Sequence, residues 1–332
     1  MRGLVRMLGL LVVLAIVGVV AAGLWFRHEV SGERSYPKGS VRVVIPRGAT
    51  GHDVARLLAK NGVIASQLTF ELLARLHREQ SAMKAGEFKF EPHRTQEEVL
   101  RAVVDGGSQI AVWVTIPEGF TAKEIARVLA DRGLGNEAAF ARIFAHESID
   151  VAGAHTATLE GYLFPDSYLV PTDADPPHIA KIFTDAFRLR LPRDARALAR
   201  SLGLTVPQVV TLASLVEREA KFDAERPLMA GVYYNRLRLH MPLEVDATIE
   251  YTFPHHKTVI TYADLAIDSP YNTYKYAGLP PTPIANPGGP SLEAAFHPKA
   301  SSYLYYVYAG NGRSAFARTL AEHNANVARY LH

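Results

Sequence analysis

A chain of 332 residues, 48% hydrophobic and 21% charged, is long enough for two modest domains and has the composition of an ordinary globular protein. A formal net charge of +3, with no dense Lys/Arg run carrying interleaved aromatics, argues against a nucleic-acid partner. Cysteine is absent, which excludes disulfides, thiolate zinc sites and Cys nucleophiles and fits an oxidising compartment.

Residues 7–26, MLGLLVVLAIVGVVAAGLWF, carry no charge, and roughly 20 apolar residues suffice to cross a bilayer as a helix. Arg2 and Arg6 precede the run and favour a cytoplasmic N-terminus at residues 1–6, while Trp25 and Phe26 sit where an aromatic belt lies. A cleaved signal peptide with its small-residue site at Val20-Ala21-Ala22 is the competing reading. The run is longer than a usual signal core and favours a single-pass anchor. On either reading everything after Arg27 is exported, which places the rest of the chain in the periplasm or outside the cell. Residues 27–40, RHEVSGERSYPKGS, are polar and aperiodic and read as a tether.

An internal repeat organises the middle of the chain. Residues 45–63 read IPRGATGHDVARLLAKNGV and residues 116–134 read IPEGFTAKEIARVLADRGL. Each predicts a strand, a turn and an amphipathic helix. Thr50 with Asp53 and Thr121 with Glu124 have capping-box spacing, and Gly62 and Gly133 suit helix C-termini. Phe70–Leu76 and Phe140–Phe144 are expected as matching second helices, and residues 85–88 and 160–163 as matching returns to a strand. Two small α+β units near 41–110 and 112–190 follow. They serve either as scaffold or, in one copy, as a glycan binder, since short modules of this order resemble LysM-type carbohydrate-binding domains.

From Pro207 onward a helix is followed by loops rich in Pro, Gly and Asn, at residues 271–274, 278–281 and 284–289. Such loops hold fixed backbone shapes and often carry binding sites. Tyr303–Tyr308 reads as a buried strand and Thr319–Leu331 as a closing helix.

On the expected helix 207–222, PQVVTLASLVEREAKF, a step of roughly 100° per residue aligns Val209, Leu212, Ala213, Val216 and Ala220 into an apolar stripe. Ser214 and Arg218 fall on the far side, and Glu217 and Glu219 flank the stripe. A carboxylate at such an edge is partly desolvated, which raises its pKa and lets it donate a proton near neutrality. From spacing alone, however, Glu-Arg-Glu on a helix is usually a solvated face.

The stretch 212–239, LASLVEREAKFDAERPLMAGVYYNRLRL, resembles the signature of the endolytic murein transglycosylases, the YceG-like family. So, in order, do residues 159–168, 243–251, 269–274, 278–288 and 316–324. The resemblance implies that Glu219, the second Glu of the pair, is the catalytic acid/base. The implied reaction is endolytic cleavage of the β-1,4 bond between N-acetylmuramic acid and N-acetylglucosamine, with the muramoyl 6-hydroxyl attacking its own anomeric carbon to leave a 1,6-anhydro end. Ordinary glycosidases need two carboxylates. A nucleophile already attached to the sugar gains much of that help from proximity.

The same resemblance carries Arg226, Asn235, Arg236, Asp246, Thr248, Tyr271, Asn272, Tyr274 and Asn324 as candidate substrate-binding residues. Tyrosine faces stack on sugars and Asn amides suit hydroxyls; the alternatives are ion pairing for the arginines and turn formation or packing for the rest. His323 has no second metal ligand at a usual spacing. Two departures stand out: Glu244 lies where the family has Gln, and joins the candidates as a second carboxylate, and Ser314 replaces a histidine.

The expected architecture is α+β: an N-terminal single-pass transmembrane helix, a LysM-like α+β module at 41–110 and a C-terminal mixed α+β catalytic domain at 111–332. Glycan strands of peptidoglycan are the expected partner, with synthases of the elongation or division machinery as further partners, and no cofactor or metal is implied. Two rival functions stand beside this one. The first is a non-catalytic peptidoglycan-binding scaffold, and the second a hydrolase pairing Glu219 with Glu244 or Asp246.

Overall fold

The computed structural model describes residues 2–33, 39–253, 257, 259–310 and 312–331, with the backbone alone for residues 2–6. Residues 34–38 of the expected tether and the side chains of Arg2 and Arg6 lie outside the described residues. The architecture is mixed α+β with an apolar N-terminal helix.

Two units make up the chain, one of Met1–Trp113 with Tyr168–Asp173 and the other of Val114–Ser167 with Ala174–His332. The first unit begins with α1, Arg2–Ser31, which over Met7–Ser31 is long and apolar enough to cross a membrane. The helix continues through residues 27–31, so the start of the expected tether is helical. Tertiary contact explains the extension: Val30 is buried, Phe26 packs beside it, and Gln96 Nε2 donates to the Glu29 carbonyl at 3.0 Å.

After α1 come β1 (Val41–Ile45), α2 (Gly51–Lys60), α3 (Gln67–Leu76), β2 (Gly86–Phe90), α4 (Gln96–Asp105) and β3 (Gln109–Thr115). Strand alternation puts Val43, Ile45, Phe88 and Phe90 on one face, where they meet Val54, Leu58, Phe70, Leu73, Val99 and Val103 of the helices. β1 pairs antiparallel with β2, Val43 opposite Phe88, and β2 pairs antiparallel with β3.

The second unit holds α5 (Ala122–Asp131), α6 (Glu137–His146) and a short hairpin of β4 (Asp150–Val151) and β5 (Ala154–His155). β6 (Ser167–Pro171) completes the sheet order β1-β2-β3-β6. Then follow α7 (Pro176–Arg190), α8 (Ala195–Ser201), α9 (Val206–Glu219), α10 (Arg226–Arg238), α11 (Asp246–Glu250) and α12 (Gly289–Phe296). A hairpin of β7 (Tyr305–Gly310) and β8 (Arg313–Ala317) precedes α13 (Leu320–Tyr330).

The repeat is built as its caps dictate. Thr50–Asp53 and Thr121–Glu124 both close capping boxes. At the other ends, Gly62 N–H and Val63 N–H bond Ala59 and Leu58, and Gly133 N–H and Leu134 N–H bond Ala130 and Leu129, two copies of the same Schellman geometry. The second helices of both copies form, as α3 and α6.

Residues 160–163 do not return to a strand, in contrast to 86–90. Gly161 adopts φ +89, and a Cβ there would collide with the ring of Pro283 and meet Val210. The segment is therefore a buried turn, and the strand waits until Ser167. Tyr303–Tyr308 also departs from expectation. The strand begins at Tyr305 and belongs to a two-stranded hairpin, so Val307 is buried while Tyr308 is 49% exposed.

α9 is the centre of the second unit. Every residue from Val209 to Val216 is buried, including Ser214 on what looked like the polar side. Helices α8, α10, α11 and α12 surround it. Ser214 Oγ donates to the Thr211 carbonyl and accepts from Ile284 N–H, which satisfies the buried hydroxyl. A capping box of Thr205 and Gln208 starts the helix, and it ends at Glu219 rather than near Phe222 because Ala220 turns extended.

Candidate active site

The last residue of α9 is therefore Glu219, at the negative end of a helix dipole, where ionisation of a carboxyl is disfavoured. Its carboxyl is half-buried, and desolvation first and the charge of Asp246 second push its pKa up to about 7. A hydrogen bond from Tyr306, the Ala247 N–H and the charge of Arg218 pull the other way. A carboxyl held near neutrality suits a group that must give a proton and take one back.

Tyr306 Oη donates to Glu219 Oε2 at 3.2 Å and lies 2.8 Å from Tyr233 Oη. Burial and the neighbouring carboxylate hold both phenols well above their ordinary pKa, so both remain protonated donors. Neither tyrosine stood out in the sequence, since Tyr306 comes from β7 and Tyr233 from α10, and only the tyrosine-rich segments 303–308 and 233–234 hinted at them.

On another side stands Asp246, exposed, with Oδ1 accepting from Tyr274 Oη at 2.6 Å. The loop carrying Tyr274 is stitched to the segment before α11. Glu244 N–H donates to the Thr273 carbonyl at 3.1 Å, Val245 N–H to Thr273 Oγ1 at 3.0 Å, and Thr248 Oγ1 lies 2.9 Å from Thr273 Oγ1. Asn272 is fully buried: its Nδ2 donates to the Leu265 and Ile267 carbonyls and its Oδ1 accepts from Tyr274 and Lys275 N–H. Thr248 and Asn272 thus shape the loop, while Tyr274 Oη points at Asp246. Tyr271 stacks on Tyr251 with centroids 5.0 Å apart and its hydroxyl lies 2.7 Å from Thr282 Oγ1.

Arg236 joins both sides of the site. Its guanidinium, 6% exposed, donates to the carbonyls of Leu304 (2.6 Å), Pro242 (2.9 Å) and Leu243 (3.0 Å) and to Glu244 Oε2 (2.8 Å), and it lies over the ring of Tyr305. It ties the segment leading into β7 to the segment leading into α11. Asn235 Nδ2 reinforces this by donating to Ser301 and Tyr303 carbonyls. Glu244 adopts φ +54 and pairs with Arg236, so the carboxylate whose charge bears on Glu219 is that of Asp246.

The first Glu of the pair has a different task. Glu217 Oε1 accepts from Arg226 at 3.3 Å and Oε2 from Gly288 N–H at 2.8 Å. Arg226 is buried and also donates to Asp223 and to Ser291 Oγ, the structural ion pair weighed for it. Desolvation and the nearby Glu217 raise the pKa of Glu118. Glu160, absent from the candidates, is buried, with a pKa raised by desolvation to about 8; it accepts from Ala122 N–H, Asn286 Nδ2 and Tyr251 Oη.

Asn324 is exposed on α13, one residue after His323, whose ring stacks on Tyr305 at 5.3 Å. Ser314 N–H donates to Glu225 Oε2 in the hairpin. Among the described residues no group of three or more His, Asp or Glu is placed to hold a metal ion. A cavity of about 650 Å³ lies at the opposite end of α9, lined by Leu204, Pro207, Gln208, Tyr234, His240 and Pro281 among others. None of its lining residues is a carboxylate.

Known proteins match this chain along most of its length. A family model described as the YceG-like family covers residues 43–329. The endolytic murein transglycosylase of Bacillus subtilis (strain 168) is 33% identical over 310 residues, spanning 89% of this chain and 86% of that protein. That of Streptococcus pneumoniae serotype 2 (strain D39) is 29% identical, spanning 96% of this chain but 64% of its own greater length. Among solved structures, a yceG-like protein from Listeria monocytogenes superposes with a TM-score of 0.61 at 30% identity, over 87% of this chain and 99% of that one.

Proposed function

The chain belongs to the YceG-like family, and on that premise we propose that Glu219 is the single acid/base of a lytic transglycosylase acting on peptidoglycan. The relatives' shared name, endolytic murein transglycosylase, supports the enzyme class and the substrate. The observation that carries the residue is a half-buried carboxyl with a pKa near 7 at the end of the central helix.

In the first step Glu219, protonated, gives its proton to the glycosidic oxygen between N-acetylmuramic acid and N-acetylglucosamine within a strand. The muramoyl 6-hydroxyl then attacks its own anomeric carbon, and the Glu219 carboxylate takes the hydroxyl proton. The product is a 1,6-anhydro end, the carboxyl is reset and no water is consumed. Tyr306 occupies Oε2 and so orients the carboxyl. Asp246 and Tyr274 flank the approach and are the side chains we assign to sugar hydroxyls, together with Glu244, Tyr271 and Asn324. Arg226, Asn235, Arg236, Thr248 and Asn272 hold the frame that presents them.

Residues 41–110, within the first unit, are assigned to glycan binding as a LysM-like module, on the strength of their strand–helix–helix–strand order. Helix α1 is assigned as a single-pass, N-in anchor of the cytoplasmic membrane, with the remaining chain outside it. An enzyme held there cuts strands near the bilayer, where new ones emerge, beside the synthases that make them. Incubating the full chain in detergent with purified sacculi tests the assignment. Wild type is expected to yield ends one water lighter than reducing ends, and Glu219→Gln none; unchanged product from the variant would remove Glu219 from the role.

A further inference from the structure

α3 carries an exposed apolar stripe that nothing in the reaction uses. Its inward face buries Thr69, Phe70, Leu73 and Ala74. The outward face presents Leu68, Leu72 and Leu76, four residues apart and 70%, 43% and 64% exposed. This spacing aligns them along one side of a helix. Arg75 and Arg78, both exposed, lie at its C-terminal end.

The same unit is locked to the end of α1. Phe26 and Val30 pack into the cluster that contains Phe70 and Leu73 of α3. Gln96 bridges the two helices, donating to the Glu29 carbonyl at 3.0 Å and lying 3.1 Å from Thr69 Oγ1, next to Leu68. The apolar run ends at Phe26, and four further residues of helix rise only about 6 Å to reach Val30. The headgroup layer on each side of a bilayer is itself roughly 5–8 Å thick. Helix α1 runs unbroken from the apolar run to Ser31.

We propose that α3 is an interfacial helix: Leu68, Leu72 and Leu76 insert into the outer surface of the same membrane that α1 crosses, with Arg75 and Arg78 on anionic lipid phosphates. This rests on the assignment of α1 as an anchor. An apolar stripe edged by arginine is the composition of helices that lie in the plane of a bilayer surface, and basic residues there gain from anionic headgroups. The lipid surface is the occupant because α3 packs, through Phe70 and Leu73, against Phe26 and Val30, within about one headgroup layer of the end of the spanning run. The first unit is then seated on the bilayer rather than swinging on a tether, which fixes how far above the membrane its glycan-binding face stands.

The chain has no cysteine, so single labels are unambiguous. Leu68→Cys, Leu72→Cys, Leu76→Cys and, as a marker of the anchor, Val17→Cys would each be labelled with an environment-sensitive fluorophore. The full chain would be placed in vesicles of phosphatidylethanolamine and phosphatidylglycerol, and quenching by spin-labelled lipid compared with quenching by iodide. The proposal expects the α3 labels to lose fluorescence to spin-labelled lipid, with the shallow-label lipid most effective, and to be shielded from iodide. Lipid quenching at position 17 with iodide quenching at 68, 72 and 76 would keep the anchor and overturn the interfacial helix. Shielding of the α3 labels from both quenchers would also overturn it, in favour of a protein surface. Absence of lipid quenching at position 17 would overturn the anchor and the proposal together.

Discussion

Tyr306 Oη sits 3.2 Å from Glu219 Oε2, across 87 residues of sequence, and its own hydroxyl is backed at 2.8 Å by Tyr233. That contact settles which carboxyl oxygen is occupied and lowers the pKa that burial has raised. Replacing Tyr306 by Phe removes one hydrogen bond to an ionisable group, worth about 0.5–3 kcal/mol. The expected result is a loss on the order of tenfold in rate on sacculi, with the alkaline limb of the pH profile moved upward. An unchanged profile would show that the phenol does not act on Glu219.

Asp246 acts with the opposite sign. Its charge is the second cause, after desolvation, of the raised Glu219 pKa. In Asp246→Asn the carboxyl of Glu219 ionises at lower pH, so a smaller fraction is protonated above neutrality. The alkaline limb is expected to move downward, with a few-fold loss of rate on its slope. Tyr274 retains an acceptor in the Asn carbonyl, so a pH profile together with an unchanged unfolding temperature separates charge from structure.

Glu160 offers a stability measurement independent of catalysis. Its folded pKa of about 8 lies above the ordinary value of 4.5. The folded state therefore holds a proton that the unfolded state releases, and stability falls as pH rises from about 4.5 to about 8. Glu160→Gln keeps the neutral shape and removes that slope. The difference in unfolding temperature between variant and wild type is expected to grow in favour of the variant across this window. A constant difference would contradict the assignment of a buried neutral acid.

Arg236 holds three carbonyls and Glu244 from a buried position. Arg236→Met strands those acceptors, and a cost on the order of 2–5 kcal/mol is expected in chemical denaturation. Activity should fall further than stability alone dictates, because the segments bearing Tyr306 and Asp246 both lose their tie.

Local rules made much of this architecture readable. The capping boxes at Thr50 and Thr121 and the glycines that follow each helix are governed by residues three or four apart, and the structure reproduces both. The helix end at Glu219 was not readable, since no Gly or Pro stops it before Pro227, yet Ala220 turns extended. Residues 160–163 misled because their likeness to residues 85–88 suggests a matching strand, whereas Pro283, over a hundred residues away, leaves no room for a Cβ at the left-handed Gly161. The desolvated place of Glu219 at the edge of an apolar stripe was readable from spacing, while its proposed role rests on family resemblance. Tyr233, Tyr306 and Glu160 were not, because each acquires its partner from a distant part of the chain. The roles of Asn235, Arg236, Thr248 and Asn272 in the frame likewise depend on carbonyls and hydroxyls that only the fold brings near.

The central claim is that one carboxyl, Glu219, cleaves glycan without water. Sacculi digested by the full chain in water enriched in ¹⁸O would have their new muramic ends read by mass spectrometry. The account predicts anhydro ends carrying no heavy oxygen, produced by wild type and not by Glu219→Gln. Reducing ends carrying ¹⁸O would contradict it and make Asp246 the second carboxylate of a hydrolase.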